Sequence, residues 1–553
     1  MKKNKLFLFG LLLTTSLLWP FFYSTYFTHH DDVQVIRLFE MDKCIKDLQI
    51  PCRWVPDLGG LYGYPIFNYY APLPYYIGEF FYLLTGSLII SAKLMFIVPF
   101  IGAYIFMYLL GKKLWGDWGG LISATFYSFA PYHAVVLYVR GAMGELWALM
   151  FFPAIFWAMF CLKDRMELIN ALRLGLLFAL LILSHNLSAM IFIPLTVIFL
   201  GFIFFIINRK LKFVVLIIFA FAISLLIASF YLLPMVFEKN LVHVESMVGG
   251  YFSYTEHFKG INKLFVERMW GWGASVREIP GGERDGMSFQ IGWVHLFAWF
   301  AALITTLWLI SKKDYRSGII IFASLIILLS IFLIHPRSEP IWKLIEPLKY
   351  LQFPWRFLML VIFFISLISG AIISLLTSQR RKFVSFVLIA LVVATNFSYF
   401  RPERFIQTDD KQILEGDNWD KLIKRSIFDF LPVYAELPPA ELATVRYEII
   451  QGDVVINDFK EGSNWIYFKA DAKNDVKIRL SQYYFPGWKI LVNNRPVSID
   501  YNNQLGLMTF SINKGSYEIR AKLENSPVRV IANLLTILGL IVMIVIYYKS
   551  RLR

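Results

Sequence analysis

Long apolar stretches recur along most of this chain, and they constrain its fold more than any other feature. About 18 or more consecutive apolar residues are enough for a helix to cross the ~30 Å hydrocarbon core of a membrane. About twelve such stretches are present, near 5–26, 88–110, 118–138, 146–162, 169–184, 188–207, 213–233, 291–310, 317–334, 354–376, 384–400 and 528–548. The sequence therefore predicts a polytopic α-helical membrane protein.

Two apolar runs need further interpretation: one is long enough for two helices, and the first run of the chain resembles a cleavable signal. The apolar run 169–207 must contain two helices, because a single helix of that length would span about 58 Å at 1.5 Å per residue. The residues SHN at 184–186 are the natural break. The first stretch follows the basic start MKKNK and resembles a secretory signal, but the bulky residues PFFYSTYFTHH after it offer no small-residue cleavage site. We therefore expect an uncleaved anchor.

The basic residues predict the orientation of the chain. Its net charge is +15, which would suit a nucleic-acid partner if the charge formed one patch. It is instead divided among alternate short loops: Lys2, Lys3, Lys5; Lys112, Lys113; Lys163, Arg165; Arg209, Lys210, Lys212; Lys312, Lys313, Arg316; Arg380, Arg381, Lys382; Lys549, Arg551, Arg553. The positive-inside rule predicts that these loops and both termini are cytoplasmic in a plasma-membrane protein. We expect membrane lipids as partners and no nucleic acid.

The remaining loops are predicted to lie outside the cell: 27–87, 139–145, 184–187, 234–290, 335–353 and 401–527. The cytoplasmic loops are short and contain no phosphate-binding glycine loop, so a nucleotide or nucleotide sugar has no site there. Any chemistry is therefore expected on the outer face.

The first outer segment combines charged, amphipathic and aromatic stretches. Val33, Ile36, Leu38 and Phe39 predict an amphipathic helix lying on the membrane. A short apolar helix at 73–86 is too short to cross. The aromatic side chains of this segment suit stacking on sugars, a lipid groove or the interfacial aromatic belt of a membrane protein. They are Trp54, Tyr62, Tyr64, Phe67, Tyr69, Tyr70, Tyr75 and Tyr76.

The long outer loop 234–290 contains glycines and charges typical of a mobile flap. Its charged residues are predicted either to contact an acceptor or to remain solvated: Glu267, Arg268, Arg277, Glu283 and Arg284.

The segment 401–527 is less hydrophobic and alternates with period two, as in NWIYFKADAKNDVKIRLSQ and GLMTFSINKGSYEIRAKL. It predicts a β-rich outer domain, a small sandwich, whose role would be acceptor binding or that of a structural lid. The chain then divides into a transmembrane domain 1–400, this β-rich domain, and a last helix with a basic tail at 528–553.

Cysteines and histidines in the first outer segment suggest two further features. Cys44 and Cys52 are the cysteines predicted to lie outside, where oxidising conditions favour a disulfide. His29 and His30 adjoin two aspartates, which suits either a divalent metal ion or local hydrogen bonds. Adjacent histidines point in different directions and do not form the i, i+4 pair of a zinc helix.

Several motifs together resemble a known family. They are HHDD after the first span, RWVPDLGGLYGYPIFNYYAPLPYY, RGAMGE after the third span, LSHNLSA between the fifth and sixth, LQFPWRF before the tenth, and YYFPGWKILVNNRPVSI. In this order they resemble bacterial and archaeal membrane proteins called 6-pyruvoyl-tetrahydropterin synthase-related or YfhO-like, which belong to the GT-C superfamily of glycosyltransferases. No zinc site of a pterin enzyme is visible, so the label does not indicate that activity.

The resemblance implies an enzyme that moves a sugar from a polyprenyl phosphate to an acceptor outside the cell, with or without a divalent ion. A carboxylate in the first outer loop would act on the acceptor, and Asp31 or Asp32 matches that position. Glu145 is a second carboxylate candidate, unless it is simply a solvated residue at a helix start. The departing phosphate needs cationic partners, for which Arg53, Arg140 and Arg356 are candidates. Further candidates for substrate contact are Trp54, Tyr64, Tyr69, His185 and Asn186.

Two other functions remain open from the sequence. A transporter or flippase for lipid-linked glycans would also have about twelve spans, but it should show repeated halves and polar residues at mid-membrane. A non-catalytic envelope assembly protein would need neither Asp31 nor Glu145. The acceptor of an enzyme would be an envelope glycan, a glycolipid or a protein.

Overall fold

The structure is a computed structural model that describes residues 2–207, 210–279, 281–425 and 430–551. Among the basic residues used to predict the orientation, Arg209 and Arg553 lie outside the described residues, as do the side chains of Lys2, Lys3 and Arg551.

Helices that could cross a membrane make up about half of the first 400 residues, and one more lies near the end of the chain. Within the described residues, nine are long and apolar enough: Leu88–Ser128, Met143–Asp164, Asn186–Phe205, Leu211–Phe237, Trp293–Ser311, Arg316–Ile334, Pro354–Leu375, Ser378–Tyr399 and Pro527–Ser550. Two apolar helices are shorter, Lys5–Ser16 and Leu168–Ser184. A multi-pass helical membrane protein is thus confirmed.

The difference between nine helices and about twelve predicted spans has local causes. The helix Leu88–Ser128 covers two predicted spans and is broken at Gly116, whose φ of 79° and ψ of −178° are not helical. The first and fifth predicted spans correspond to the two shorter helices. The predicted break at SHN is confirmed, because one helix ends at Ser184 and the next begins at Asn186.

The third predicted span is shorter than expected. It was predicted to reach residue 138, but its helix ends at Ser128. A short helix Pro131–Ala134 and a π-helix Val135–Arg140 follow. Pro131 has no backbone N–H to continue the preceding helix, which explains the early end. This irregular segment leads directly into RGAMGE.

The first outer segment forms three helices, Gln34–Lys46, Ile66–Tyr69 and Leu73–Thr85. The predicted short apolar helix is confirmed. The expectation that the first of them lies on the membrane is wrong, because most of its side chains are buried in the protein. Its charged residues are accommodated by ion pairs, such as Lys46 with Asp42 at 2.7 Å and Lys43 with Asp57.

A disulfide joins Cys44, near the end of the helix Gln34–Lys46, to Cys52, with 5.5 Å between their Cα atoms. The predicted pairing is confirmed. It ties the end of the buried helix to the loop that leads into Arg53 and Trp54.

The predicted β-rich region before the last helix is also confirmed. Its strands are β1 (Tyr447–Gln451), β2 (Val454–Glu461), β3 (Trp465–Ala472), β4 (Val476–Tyr483), β5 (Trp488–Val492), β6 (Arg495–Val497), β7 (Leu507–Ile512) and β8 (Gly515–Leu523). They form a five-stranded sheet in the order β2–β3–β8–β5–β6 and a three-stranded sheet in the order β1–β4–β7. All of these pairings are antiparallel.

The two sheets pack on each other and on the first outer segment. Tyr447 of one sheet stacks on Phe468 of the other, and alternate residues of β3 are buried, as the period-two pattern predicts. Trp54 of the first outer segment packs against Trp488 of β5, 5.7 Å between ring centroids. Two helices that the sequence did not predict, Asp410–Ile413 and Gly416–Arg425, precede the strands.

Candidate functional site

A cavity of about 710 Å³ lies where residues from all six predicted outer segments meet. The segment 30–33 lines one side, and Tyr69 and Tyr70 lie beside it. Residues 140–145 and 184–187 line another wall. Aromatic residues of 247–287 and the segment 352–356 complete it. Polar groups are thus collected from regions far apart in the sequence.

The motifs HHDD and RGAMGE are joined through their backbones. The N–H of His30 donates to the carbonyl oxygen of Val139 at 3.0 Å, and the N–H of Asp31 donates to that of Arg140 at 2.9 Å. The side chain of Gln34 adds a hydrogen bond from Nε2 to the carbonyl oxygen of Gly141, 3.0 Å. The position of Asp31 is therefore fixed relative to Arg140.

Two glycines allow this close approach. Gly141 has a φ of +61°, and a Cβ at this position would lie 2.4 Å from Nδ1 of His29. A Cβ on Gly144 would lie 2.7 Å from the carbonyl oxygen of Ser184. Both distances are shorter than real contacts allow, so the glycines of RGAMGE let this turn pack directly on HHDD and on SHN.

Asp31 combines partial exposure with fixed orientation. Its side chain is 33% exposed. Oδ2 accepts a hydrogen bond from Nε2 of Gln34 at 2.8 Å, and Oδ1 lies 3.7 Å from Nη1 of Arg37. Gln34 is itself held by the hydroxyl of Tyr75, which donates to its Oε1 at 2.6 Å. The carboxylate therefore faces the cavity with access for a ligand. Asp32 lines the same cavity.

Glu145 lies at the centre of a buried charge network. Its side chain is 1% exposed, so the alternative that it is a solvated residue at a helix start is wrong. Oε1 accepts from the hydroxyl of Tyr132 at 2.5 Å, and Oε2 lies 2.6 Å from Nη1 of Arg140 and 3.6 Å from Nε of Arg356. Its carboxylate is occupied by these partners, which suits a role in holding both arginines rather than in removing a proton.

The two arginines are also positioned by neutral groups. Nη1 of Arg356 donates to the carbonyl oxygen of Leu351 at 2.7 Å and to Oε1 of Gln352 at 3.2 Å. The guanidinium of Arg140 lies 4.7 Å from the ring centroid of Trp355. The motif LQFPWRF thus supplies one arginine and the aromatic ring that supports the other.

His185 lies between the helix that ends at Ser184 and the helix that begins at Asn186, and it caps the N-terminus of the second helix. Its Nδ1 accepts a hydrogen bond from the N–H of Ser188 at 3.3 Å. Burial, together with the positive charge of Arg356, lowers the pKa of His185 to about 3. The ring is therefore neutral at pH 7, with one nitrogen as donor and the other as acceptor. It can offer a hydrogen bond in the cavity without adding charge.

Comparison with known proteins finds one family model that matches part of the chain. Residues 67–280 match the model of the 6-pyruvoyl-tetrahydropterin synthase related domain, described as a membrane protein. The match covers less than half of the chain. It confirms the family resemblance over a region that includes RGAMGE and LSHNLSA; HHDD and LQFPWRF lie outside the matched residues. No curated protein is significantly similar to the sequence.

Several solved structures are similar to this chain at low identity. One is the archaeal oligosaccharyltransferase AglB from Archaeoglobus fulgidus, in complex with an inhibitory peptide and a dolichol phosphate (TM-score 0.46, 12% identity, covering 72% of this chain and 55% of AglB). Another is the arabinofuranosyltransferase AftD from Mycobacteria (TM-score 0.46, 13% identity, covering 74% of this chain and 28% of AftD). A third is ArnT from Cupriavidus metallidurans bound to undecaprenyl phosphate (TM-score 0.39, 11% identity, covering 70% of this chain and 63% of ArnT). The chain therefore spans less than two thirds of each.

Some residues predicted to bind substrate lie elsewhere in the fold. Trp54 is buried between the first outer segment and the β-rich region, and Tyr64 stacks on Phe430. Arg53 binds Asn68 and lines a different cavity. These three residues do not line the 710 Å³ cavity. Tyr69, Arg140, His185, Asn186 and Arg356 do line it, as do the carboxylate candidates Asp31, Asp32 and Glu145.

The two histidines considered as metal ligands diverge. His29 packs among aromatic rings, 3.4 Å from the hydroxyl of Tyr26. His30 points the other way, with Nε2 at 2.7 Å from the carbonyl oxygen of Trp272. In the part of the chain that the structure describes, no three His, Cys, Asp or Glu side chains are grouped to hold a metal ion. The two histidines therefore do not form a metal site together.

The sequence reasoning missed several residues of the cavity. Arg37 lies 4.2 Å from the ring centroid of Tyr70, and both line the cavity. Gln352 binds Arg356 and also donates to the carbonyl oxygen of Met247 at 2.8 Å. Arg37 could have been found from its place in a mostly apolar stretch, where a charge needs a partner.

The loop 234–290 contributes aromatic rather than charged residues. Tyr251, Phe252 and Trp272 line the cavity. The charged residues expected to contact an acceptor do not line it: Glu267, Arg268, Arg277, Glu283 and Arg284. Glu267, for example, pairs instead with Lys263 at 2.9 Å. In this loop the wall of the cavity is therefore formed mainly by rings and backbone.

Proposed function

We propose that the protein is an integral membrane glycosyltransferase. It would move a sugar from a polyprenyl phosphate donor to an acceptor hydroxyl on the outer face of the plasma membrane, by a single inverting displacement. The observation that carries the proposal is that one cavity holds both an accessible carboxylate, Asp31, and two arginines, Arg140 and Arg356, that share a single carboxylate, Glu145.

The charge balance of this network favours an anionic ligand. Arg140 and Arg356 carry two positive charges, and Glu145 carries one negative charge. Arg37 and Asp31 form a second pair beside them. Within the group of Arg140, Arg356 and Glu145, one positive charge is left over in a buried place, where an unpaired charge is costly. Asp32, on the same cavity wall, brings the lining as a whole to neutrality. A phosphate group bound near the arginines would compensate this local excess, and the planar guanidinium groups suit phosphate oxygens.

The proposed reaction uses the two sides of the cavity differently. The acceptor oxygen forms a bond to the anomeric carbon while its proton passes to Asp31, with Asp32 as the second choice. The bond from that carbon to the phosphate oxygen breaks, and the electron pair leaves with the polyprenyl phosphate. Arg140 and Arg356 stabilise the charge that develops on this leaving group.

The size and the lining of the cavity suit a sugar bound between Asp31 and the two arginines. Its volume of about 710 Å³ lies within the range usual for small-molecule sites, roughly 300–1,000 Å³. Tyr251, Trp272 and Trp355 supply ring faces on which a sugar can stack. The neutral His185 and Asn186 offer hydrogen bonds to its hydroxyl groups.

The proposal also includes an orientation and a division of the chain. Both termini would be cytoplasmic, and the cavity and the β-rich region would face outside. The β-rich domain 401–527 would cover the first outer segment and contribute to acceptor binding. The acceptor would be an envelope glycan, a glycolipid or a protein.

Sugar transfer by the purified full-length protein tests the function. The assay supplies polyprenyl phosphates carrying radiolabelled sugars, together with membranes as acceptors. We expect label in the acceptor fraction and Arg356→Lys to raise the donor KM by about tenfold, because the amine replaces a fork of N–H donors. The matched change Arg337→Lys, at an exposed arginine, should leave KM unchanged. Absence of transfer from every carrier would contradict the proposal.

A further inference from the structure

A second cavity, of about 310 Å³, lies between the first outer segment and the start of the last helix. Leu48, Ile50 and Arg53 line it from the outer segment, and Lys522 and Arg529 from the other side. None of these residues lines the 710 Å³ cavity. The proposed glycosyltransferase function does not use this site.

Arg53 is a buried arginine with neutral partners. Its residue exposure is 4%. Nη1 donates to Oδ1 of Asn68 at 2.9 Å and to the carbonyl oxygen of Phe230 at 3.1 Å, and Nη2 donates to Oδ1 of Asn533 at 2.7 Å. Within the described residues, Nε has no hydrogen-bond partner, and no carboxylate pairs with this guanidinium. A buried charge without a counter-ion is strongly disfavoured.

Arg529 adds a second buried guanidinium at the same place. Its Nε lies 2.8 Å from Oε2 of Glu238, and its Nη1 donates to the carbonyl oxygen of Pro486 at 3.1 Å. Its Nη2 has no hydrogen-bond partner among the described residues. Burial and the positive charge of Arg529 lower the pKa of Arg53 to about 10. The two arginines therefore repel each other, and Glu238 compensates only one of them.

The other charges at the cavity do not remove this excess. Lys522 contributes a third positive charge at the exposed edge. Glu524 is the carboxylate among the lining residues, and it already pairs with Lys489 at 2.7 Å. The site thus has a net positive charge carried by two guanidinium groups and an amine, which is the chemistry that binds an oxyanion such as phosphate.

The residues around the cavity indicate which kind of anion it binds. Leu48 and Ile50 line the cavity and are 82% and 67% exposed. Val530 and Ile531, next to Arg529 on the last apolar helix, are 45% and 54% exposed. Exposed apolar residues beside a basic cavity at the end of a membrane helix suit a ligand with a phosphate head and an apolar tail.

We propose that the cavity formed by Arg53, Arg529 and Lys522 binds the phosphate group of an anionic lipid. The bound phosphate supplies the negative charge that Arg53 lacks. It also links the loop after Cys52 to the last helix, because Arg53 already binds Asn533 of that helix. Asn68, which binds Arg53, is adjacent to Tyr69 of the first cavity, so lipid binding would stabilise one wall of that cavity.

Thermal unfolding of the delipidated full-length protein in detergent tests this site. Phosphatidylglycerol, phosphatidylcholine and inorganic phosphate at constant ionic strength are added separately. We expect phosphatidylglycerol to raise the unfolding midpoint of the wild type, and phosphatidylcholine not to raise it. The change Arg53→Gln should weaken the response to phosphatidylglycerol by about tenfold in half-saturating concentration, whereas Arg495→Gln, at an exposed arginine of β6, should not.

Lys522→Gln provides a second variant at an exposed position, where the change should not affect folding, and its response should weaken by about threefold. An equal response in the wild type and in both cavity variants would overturn the proposal. So would the absence of any response to phosphatidylglycerol. A response to inorganic phosphate alone would overturn the assignment to a lipid and assign the site to the free ion.

Discussion

The backbone N–H of Asp31 donates a hydrogen bond to the carbonyl oxygen of Arg140, 2.9 Å away. This bond connects the proposed base to the residue that begins RGAMGE, five positions before Glu145. Together with the bond from the N–H of His30 to Val139, it fixes the carboxylate that would receive a proton relative to the arginines that would hold phosphate. Enzymes depend on such fixed geometry, because small displacements of reacting groups lower the rate strongly.

Gly141 should be sensitive to the addition of one methyl group. Gly141→Ala would place a Cβ 2.4 Å from Nδ1 of His29, so HHDD has to move away. We expect a loss of about 1–3 kcal/mol in the free energy of unfolding beyond the backbone cost, together with reduced sugar transfer. Gly86→Ala is the control, since Gly86 has a similar φ of +66° but no atom within 4 Å of its Cβ position. Equal unfolding midpoints for the two variants would contradict the close packing.

Glu145→Gln should destabilise the protein. The amide can still accept a hydrogen bond from Tyr132, but it leaves Arg140 and Arg356 without a negative charge in a buried place. We expect the free energy of unfolding to fall by ~3 kcal/mol. The exposed change Glu346→Gln should alter it by less than about 0.5 kcal/mol. Thermal unfolding in detergent measures both, and an unchanged midpoint for Glu145→Gln would show that the network is not needed for stability.

Removing the disulfide should have a moderate effect. Cys44→Ala with Cys52→Ala opens a short loop, which in the chain-entropy model costs roughly 2–3 kcal/mol. Reducing agent should lower the unfolding midpoint of the wild type and leave that of the double variant unchanged. Cys161→Ser serves as the control, because Cys161 is a free cysteine. If reduction has no effect on the wild type, the two thiols are not joined in the native protein.

The predicted orientation is open to chemical labelling. In a Cys161→Ser background, Lys469→Cys on β3 should react with a membrane-impermeant thiol reagent in intact cells. Lys312→Cys, in a loop predicted to be cytoplasmic, should react only after the cells are opened. Both positions are exposed in the fold, so accessibility within the protein does not limit the reaction. The reverse labelling pattern would show that the chain has the opposite orientation in the membrane.

Much of the site could be predicted because of where its charges occur. Asp31, Arg140 and Arg356 are ionisable residues at or near the ends of apolar stretches, where a charge is conspicuous and needs a reason. The β-rich region was predictable for a similar reason, since its period-two pattern contrasts with the apolar helices. Each of these signals is local in the sequence.

The errors arise where distant parts of the chain meet. Arg53, Trp54 and Tyr64 have the composition of a sugar-binding loop, but Trp54 packs against Trp488 of a strand that no local pattern connects to it. The helix Gln34–Lys46 looks like a membrane-surface helix because its apolar residues suit a membrane, whereas one partner of Lys43 lies in a later loop. This partner, Asp57, also lies 3.7 Å from Arg446 of the β-rich region. Only the folded chain brings these charges together.

The most direct measurement is the rate of sugar transfer by Asp31→Asn under saturating donor. Wild type, Asp31→Asn, Asp32→Asn and the exposed control Asp453→Asn are compared at equal amounts of folded protein. If Asp31 is the base, kcat should fall by ~100-fold or more in Asp31→Asn, while the donor KM and the unfolding midpoint stay close to those of the wild type and of Asp453→Asn. A kcat that is undiminished in both Asp31→Asn and Asp32→Asn would contradict the account.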